Sequence, residues 1–181
     1  STFGAMENPG MVTFALNLLI AKPTAESLHF EREFAEVAAH EFAHQWFGDL
    51  VTTAWWNDIW LNESFASWME DKIIDEWKPE WTHHTGYVEA RAEALGSDTL
   101  MSARQIRQPI VSNDDIYNLF DAITYEKGES VLAMFERFVG ADKFRAGIRH
   151  YLTQHANGNA TADDFISAIA GAAARPELTP A

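Results

Sequence analysis

The sequence predicts an α+β domain, mostly helical with a short N-terminal portion of sheet, and three observations predict it. Apolar residues at helical spacing, bounded by capping residues, recur from about residue 27 to residue 173. β-Branched and aromatic residues gather ahead of residue 21. The chain of 181 residues fits one domain and is long enough to bury a core without disulfides. Hydrophobic residues at 47% and charged residues at 22% are a globular balance with no sign of disorder.

From Gly10 to Ile20 the composition favours an extended strand, with a helical alternative for the Leu-rich Leu16 to Ile20. Pro9 disfavours helix at Asn8, so Gly4 to Asn8 should be extended or turning. Lys22-Pro23-Thr24 breaks the chain. Ser27 is the expected N-cap of a helix running to about Phe47 and closed by Gly48. Its apolar residues wrap most of the circumference, which predicts burial all round. Further helices are expected from Asn62 to Trp77, stopped by Pro79, and from Trp81 to Leu95, ended by Gly96. A loop rich in Ser, Asp, Asn and Pro follows. Helices over Glu126–Val139, Asp142–His155 and Ala162–Ala173 come next, the last capped by Thr161. Arg175 to Ala181 reads as a loop, and no internal repeat is present.

Composition excludes several classes. With no cysteine, any metal must be held by histidine and carboxylate. Asp plus Glu number 27 against 13 Lys plus Arg, a formal net charge of −14 that repels phosphate backbones, so no nucleic-acid partner is expected. The acidity reads either as solubility or as a cleft suited to cationic groups such as peptide N-termini, and total charge does not decide between them. No apolar run reaches the roughly 20 residues of a membrane span; Met11 to Ala21 is short and interrupted by Asn17. The start at Ser1-Thr2-Phe3-Gly4, without methionine or a basic leader, predicts a piece of a longer chain, with any targeting signal upstream.

The chemistry is concentrated in His40-Glu41-Phe42-Ala43-His44. Residues four apart on a helix point within about 40° of one another, so both imidazoles can reach one ion. Glu41 is rotated by about 100° from His40 and about 60° from His44, beside the ion without ligating it. That is the place for a base acting on metal-activated water. A third ligand should come from the next helix. Glu63 alone reads as a first-turn glutamate favoured by the helix dipole. With His40 and His44 it completes the two-histidine, one-glutamate set of thermolysin-type zinc sites.

The run His40-Glu-Phe-Ala-His-Gln-Trp-Phe-Gly-Asp-Leu-Val-Thr52, with Trp55-Trp56-Asn57 and Trp60-Leu-Asn-Glu-Ser-Phe-Ala66, resembles the zinc aminopeptidase family of aminopeptidase N. Gly4-Ala5-Met6-Glu7-Asn8 before it and Thr124-Tyr125-Glu126-Lys127-Gly128 after it extend the resemblance from residue 4 to about residue 150. The resemblance implies a thermolysin-like catalytic subdomain that holds one zinc ion and removes single residues from peptides with a free N-terminus. It further implies that Glu7 anchors the α-ammonium, that the backbone of Gly4 and Ala5 lines the substrate channel, and that Tyr125 donates to the oxyanion. Without the family, Glu7 reads as an ordinary loop carboxylate and Tyr125 as packing. The family pattern also implies that residues 1–181 are one truncated catalytic domain, with an N-terminal β-domain and C-terminal parts absent. Pro9, Asp49 and Ser64 depart from the family's tryptophan, asparagine and glycine. The rival functions are a thermolysin-like endopeptidase and a catalytically silent peptide-binding relative. Trp46, Trp55, Trp56 and Trp60 are expected to pack in the core, and His29, His83, His84, His150 and His155 to lie at the surface.

Overall fold

The computed structural model describes residues 4–22 and 27–179. Pro23 and Thr24 of the expected chain break and the last two residues of the tail lie outside the described residues.

The chain opens with a two-stranded antiparallel ribbon, β1 (Ala5–Met6) against β2 (Thr13–Phe14), paired Ala5 to Phe14 and Met6 to Thr13. Helix α1 (Leu16–Leu19) follows, closed by Ile20 N–H donating to Leu16 O at 2.9 Å. The strand expected over Gly10–Ile20 is therefore two residues long, and the helical alternative for its Leu-rich end is the observed one.

Helix α2 (Leu28–Ala43) is capped by Ser27, whose hydroxyl accepts from Phe30 N–H at 3.2 Å. It stops four residues before the expected Phe47. There the carbonyls of His44, Gln45 and Trp46 accept from Asp49, Leu50 and Val51, five residues on, which widens the turn and leads the chain into strand β3 (Val51–Thr53). Gly48, at φ 142°, supplies the left-handed position this reversal needs. Nor is α2 buried all round: only Ala39, Glu41 and Ala43 are buried, while Phe34 and Phe42 are exposed. It packs chiefly against one neighbour, helix α3 (Trp60–Trp77).

The first two turns of helix α3 are instead the stretch buried all round. A 3₁₀ turn over Trp56–Asp58 feeds it two residues earlier than expected, and every residue from Trp60 to Ala66 is buried. Pro79 starts a further 3₁₀ turn that ends at Thr82 in the left-handed region, which delays helix α4 to His84–Asp98. Gly96 lies inside α4 and does not end it. The expected loop contains a short helix α5 (Asn113–Tyr117), begun by a Ser112–Asp115 capping box. A wide π turn over Ile123–Lys127 then precedes helix α6 (Gly128–Val139). Helix α7 (Ala141–Gln154) and helix α8 (Ala162–Ala173) follow closely the predicted ranges, the latter with Thr161 and Asp164 as a capping box. Between them strand β4 (Gly158–Ala160) pairs in parallel with β3.

The core lies between α3, α6, α7 and α8. Phe65 stacks on Phe47 with ring centroids 4.3 Å apart and meets Phe165 edge-on at 5.1 Å. Gly147 lets α7 and α8 close together, because a Cβ there would stand 2.6 Å from Ile169 Cδ1. Of the four motif tryptophans only Trp60 joins this core; Trp46, Trp55 and Trp56 are exposed. Their indole rings follow the turns around β3, which run over the surface. No helix among the described residues is long and apolar enough to cross a membrane.

Candidate metal centre and its cleft

Helices α2 and α3 lie side by side, and their facing turns bring the predicted residues together. His40 Nε2 and His44 Nε2 each lie 3.4 Å from Glu63 Oε2. Among the described residues these three side chains form a cluster whose ligand atoms all fall within 4.8 Å of one another. In a tetrahedral zinc site with bonds of about 2.0–2.1 Å, neighbouring ligand atoms are about 3.3–3.4 Å apart. The donor spacing, the two imidazoles and the single carboxylate all fit that ion.

The imidazoles are aimed by their other nitrogens. His44 Nδ1 donates to Phe47 O at 3.0 Å, a bond that exists because the chain leaves the helix just after His44. His40 Nδ1 pairs with Glu70 Oε2 at 3.1 Å. Both bonds place the proton on Nδ1 and turn the Nε2 lone pair towards Glu63. Glu70 is a site residue that sequence reasoning missed. Its signal is present: it stands seven residues after Glu63, two turns along the same face of α3.

Burial opposes ionisation of Glu63, but hydrogen bonds from His40 and His44 outweigh it and hold its carboxyl down at about 2. Burial likewise opposes the cation of His40, yet Glu63 and Glu70 push it up to about 10. His44 is raised for the same reason, again against burial. Glu63 thus favours the protonated form of both imidazoles, and a divalent cation bound there would displace those protons.

Glu41 is buried beside this cluster, and its Oε2 has no hydrogen-bond partner among the described residues. Burial pushes its carboxyl up to about 7, against the pull of His40 and His44. Such an orphaned, near-neutral carboxyl is expensive unless a ligand or water completes it. Tyr125, at the middle of the π turn, has its ring 6.0 Å from that of His40. Burial and the neighbouring Glu63 carboxylate hold its phenol well above the ordinary range, so it keeps its proton.

Gly4, Ala5, His40, Glu41 and Tyr125 share the wall of one cleft of about 450 Å³. Glu7 follows β1, and its charge is felt by Glu41, His44 and Asp49. Gln45 fixes this segment to the metal-site turn: its Nε2 donates to Glu7 O at 3.0 Å, and its Oε1 accepts from Gly10 N–H at 3.5 Å. Sequence reasoning also missed Gln45, whose position next to His44 carried no separate signal.

The rest of the cleft lining is rich in acidic groups, Glu36, Glu70, Asp71, Glu126 and Glu129. His83, expected at the surface, is half-buried there. Its Nε2 meets Asp71 Oδ1 at 2.7 Å and its Nδ1 meets Glu36 Oε1 at 3.1 Å, so both ring nitrogens are taken. Those hydrogen bonds push His83 up to about 10. His29, His84 and His150 are exposed, as expected, and His155 is half-buried beside Tyr151.

Residues 1–178 match the peptidase family M1 domain. Curated relatives agree. A tricorn protease-interacting factor F2 of Thermoplasma volcanium is 44% identical over 96% of this chain and 22% of its own length. Aminopeptidase 2, mitochondrial, of Saccharomyces cerevisiae is 41% identical over 95% of this chain and 18% of its own length. A leucyl aminopeptidase of Saccharolobus solfataricus is 40% identical over 92% of this chain and 21% of its own length. The chain therefore spans about a fifth of the length of these relatives. On the matched domain and on these identities, the chain belongs to peptidase family M1.

Proposed function

We propose that this chain is the thermolysin-like catalytic subdomain of a zinc aminopeptidase, with His40, His44 and Glu63 as the ligands of one zinc ion. The observation that carries the reading is the unpartnered Glu41 Oε2 buried beside two imidazole nitrogens that each stand at tetrahedral spacing from the Glu63 carboxylate. A zinc ion held there supplies Lewis acidity, acidifying water and polarising a carbonyl. Glu41, pushed up to about 7, is suited to accept a proton from water and return it to the leaving amine. Tyr125 keeps its proton and donates it as a hydrogen bond to the tetrahedral oxyanion, a contribution of about 3–4 kcal/mol for a well-placed donor. Glu7 pairs with the α-ammonium of the peptide, and Gly4 and Ala5 border the path of its backbone, so only the first residue leaves. The names of the yeast and Saccharolobus relatives support the same activity.

The test uses the full-length protein. Glu41→Gln should retain its zinc and lose about 10²–10⁴ in kcat, the loss typical of a missing general base. Wild type should cleave a free-amine peptide and leave its N-acetylated form nearly intact. Normal turnover by Glu41→Gln would refute the mechanism; equal cleavage of both peptides would point instead to an endopeptidase.

A further inference from the structure

Tyr125 sits on an unusual piece of backbone, and two groups grip that backbone from opposite sides. The π turn Ile123–Lys127 closes with Lys127 N–H donating to Ala122 O at 3.0 Å, five residues back. A wide turn of this kind is rare and holds only where its surroundings fix it. On one side stands α3. Ser64, adjacent to Glu63 and fully buried, donates its hydroxyl to Thr124 O at 2.6 Å. The approach is so close that Gly128 can carry no side chain: a Cβ there would stand 1.8 Å from Ser64 Oγ. On the other side stands Arg104. Its Nη2 donates to Thr124 Oγ1 at 2.7 Å and to Leu119 O at 3.0 Å, and its guanidinium pairs with Asp121. Asp121 Oδ1 in turn accepts from Ile123 N–H at 3.0 Å and from Thr124 N–H at 3.2 Å.

We propose that Ser64, working against the Arg104–Asp121 pair, is a positioning residue that sets where the Tyr125 hydroxyl stands relative to Glu63. The inference rests on the aminopeptidase reading above, in which Tyr125 donates to the oxyanion. Ser64 and the ligand Glu63 are neighbours on one helix, and Ser64 grips the residue just before Tyr125. That hydrogen bond ties the backbone just before the donor to the metal-site helix. Without it the wide turn is free to tighten towards an ordinary α turn, which moves the phenol along the cleft. A displacement of about 1 Å is enough to cost about 10²-fold in rate. Glu7, which would hold the peptide's amine, follows β1 and is not carried by the π turn, so amine binding should be untouched.

The experiment is a double-mutant cycle in the full-length enzyme, with zinc content checked in every variant. Ser64→Ala removes one oxygen atom and leaves no large cavity. In the wild-type background it should lower kcat by about tenfold or more with KM within about twofold. In a Tyr125→Phe background the same substitution should change kcat by less than about twofold, because the group it positions is already gone. If Ser64→Ala does not fold, Arg104→Gln loosens the other side of the turn and is read in the same cycle. An unchanged kcat in Ser64→Ala, or an equal loss in both backgrounds, overturns the proposal and leaves the role of Tyr125 standing. Full activity of Tyr125→Phe alone overturns both.

Discussion

Each metal-site histidine commits one ring nitrogen to the protein, and the two partners differ in how visible they are in a sequence. His44 leans on the Phe47 carbonyl, a contact created by the chain reversal after α2. His40 leans on Glu70, a side chain two turns beyond Glu63. His40, Glu41 and His44 were read from helical spacing, which sets them on one arc, and Glu63 from its place in the first turn of the next helix once that arc was recognised. Glu7, Gly4, Ala5 and Tyr125 were legible only through the family resemblance, since a loop carboxylate and a lone tyrosine carry no pattern. Glu70 left only its two-turn spacing from Glu63, Ser64 only a departure from the family pattern, and Gln45 no separate mark. The anchoring role of Glu70 predicts a specific loss. Glu70→Ala should weaken zinc affinity by about 10–100-fold, as outer partners of metal-bound histidines generally do. A competition titration with a chromophoric chelator reads this; unchanged affinity would mean that His40 is oriented without Glu70.

Among the elements, helix existence was legible almost throughout, and helix ends were not. The ends of α2 and α4 were set by tertiary demands: the reversal into β3 in one case, the left-handed Thr82 in the other. The β3–β4 pair joins residues more than a hundred apart, so no local pattern announces it. The stretch buried all round proved to be the start of α3 and not α2. It carries Glu63 on one face and Phe65 on another, so the proposed metal site is built on the same rod as the core. Phe65→Ala should therefore cost about 3–5 kcal/mol of unfolding free energy by denaturant titration, the range for emptying a buried aromatic site. A loss under about 1 kcal/mol would show that Phe65 does not anchor α3.

Elements are also joined by His83, which stands at the start of α4 and pairs with Glu36 of α2 and Asp71 of α3. Its folded-state pKa of about 10 lies above the ordinary 6.5, so the protonated form favours the folded state. That contribution is fully present below about pH 6.5 and is lost as pH rises through about 10. His83→Gln should accordingly be less stable than wild type at pH 6, with the difference shrinking to nothing above pH 10. Thermal melts across that range measure it; a gap that stays constant with pH would mean that His83 acts by packing and not by charge.

The molecule as a whole sets an acidic cleft beside a compact cluster of two imidazoles and a carboxylate, in a chain with a formal net charge of −14. The absence of cysteine, the helical arc and the second helix converge on a metal centre that needs only α2 and α3. Metal content is therefore the most direct test of the central claim. Elemental analysis of the purified protein should find about one zinc per chain in wild type and in Glu41→Gln. It should find none bound stoichiometrically in His40→Ala, His44→Ala or Glu63→Ala. A full equivalent of zinc in any of those three variants, or its loss from Glu41→Gln, would contradict the account.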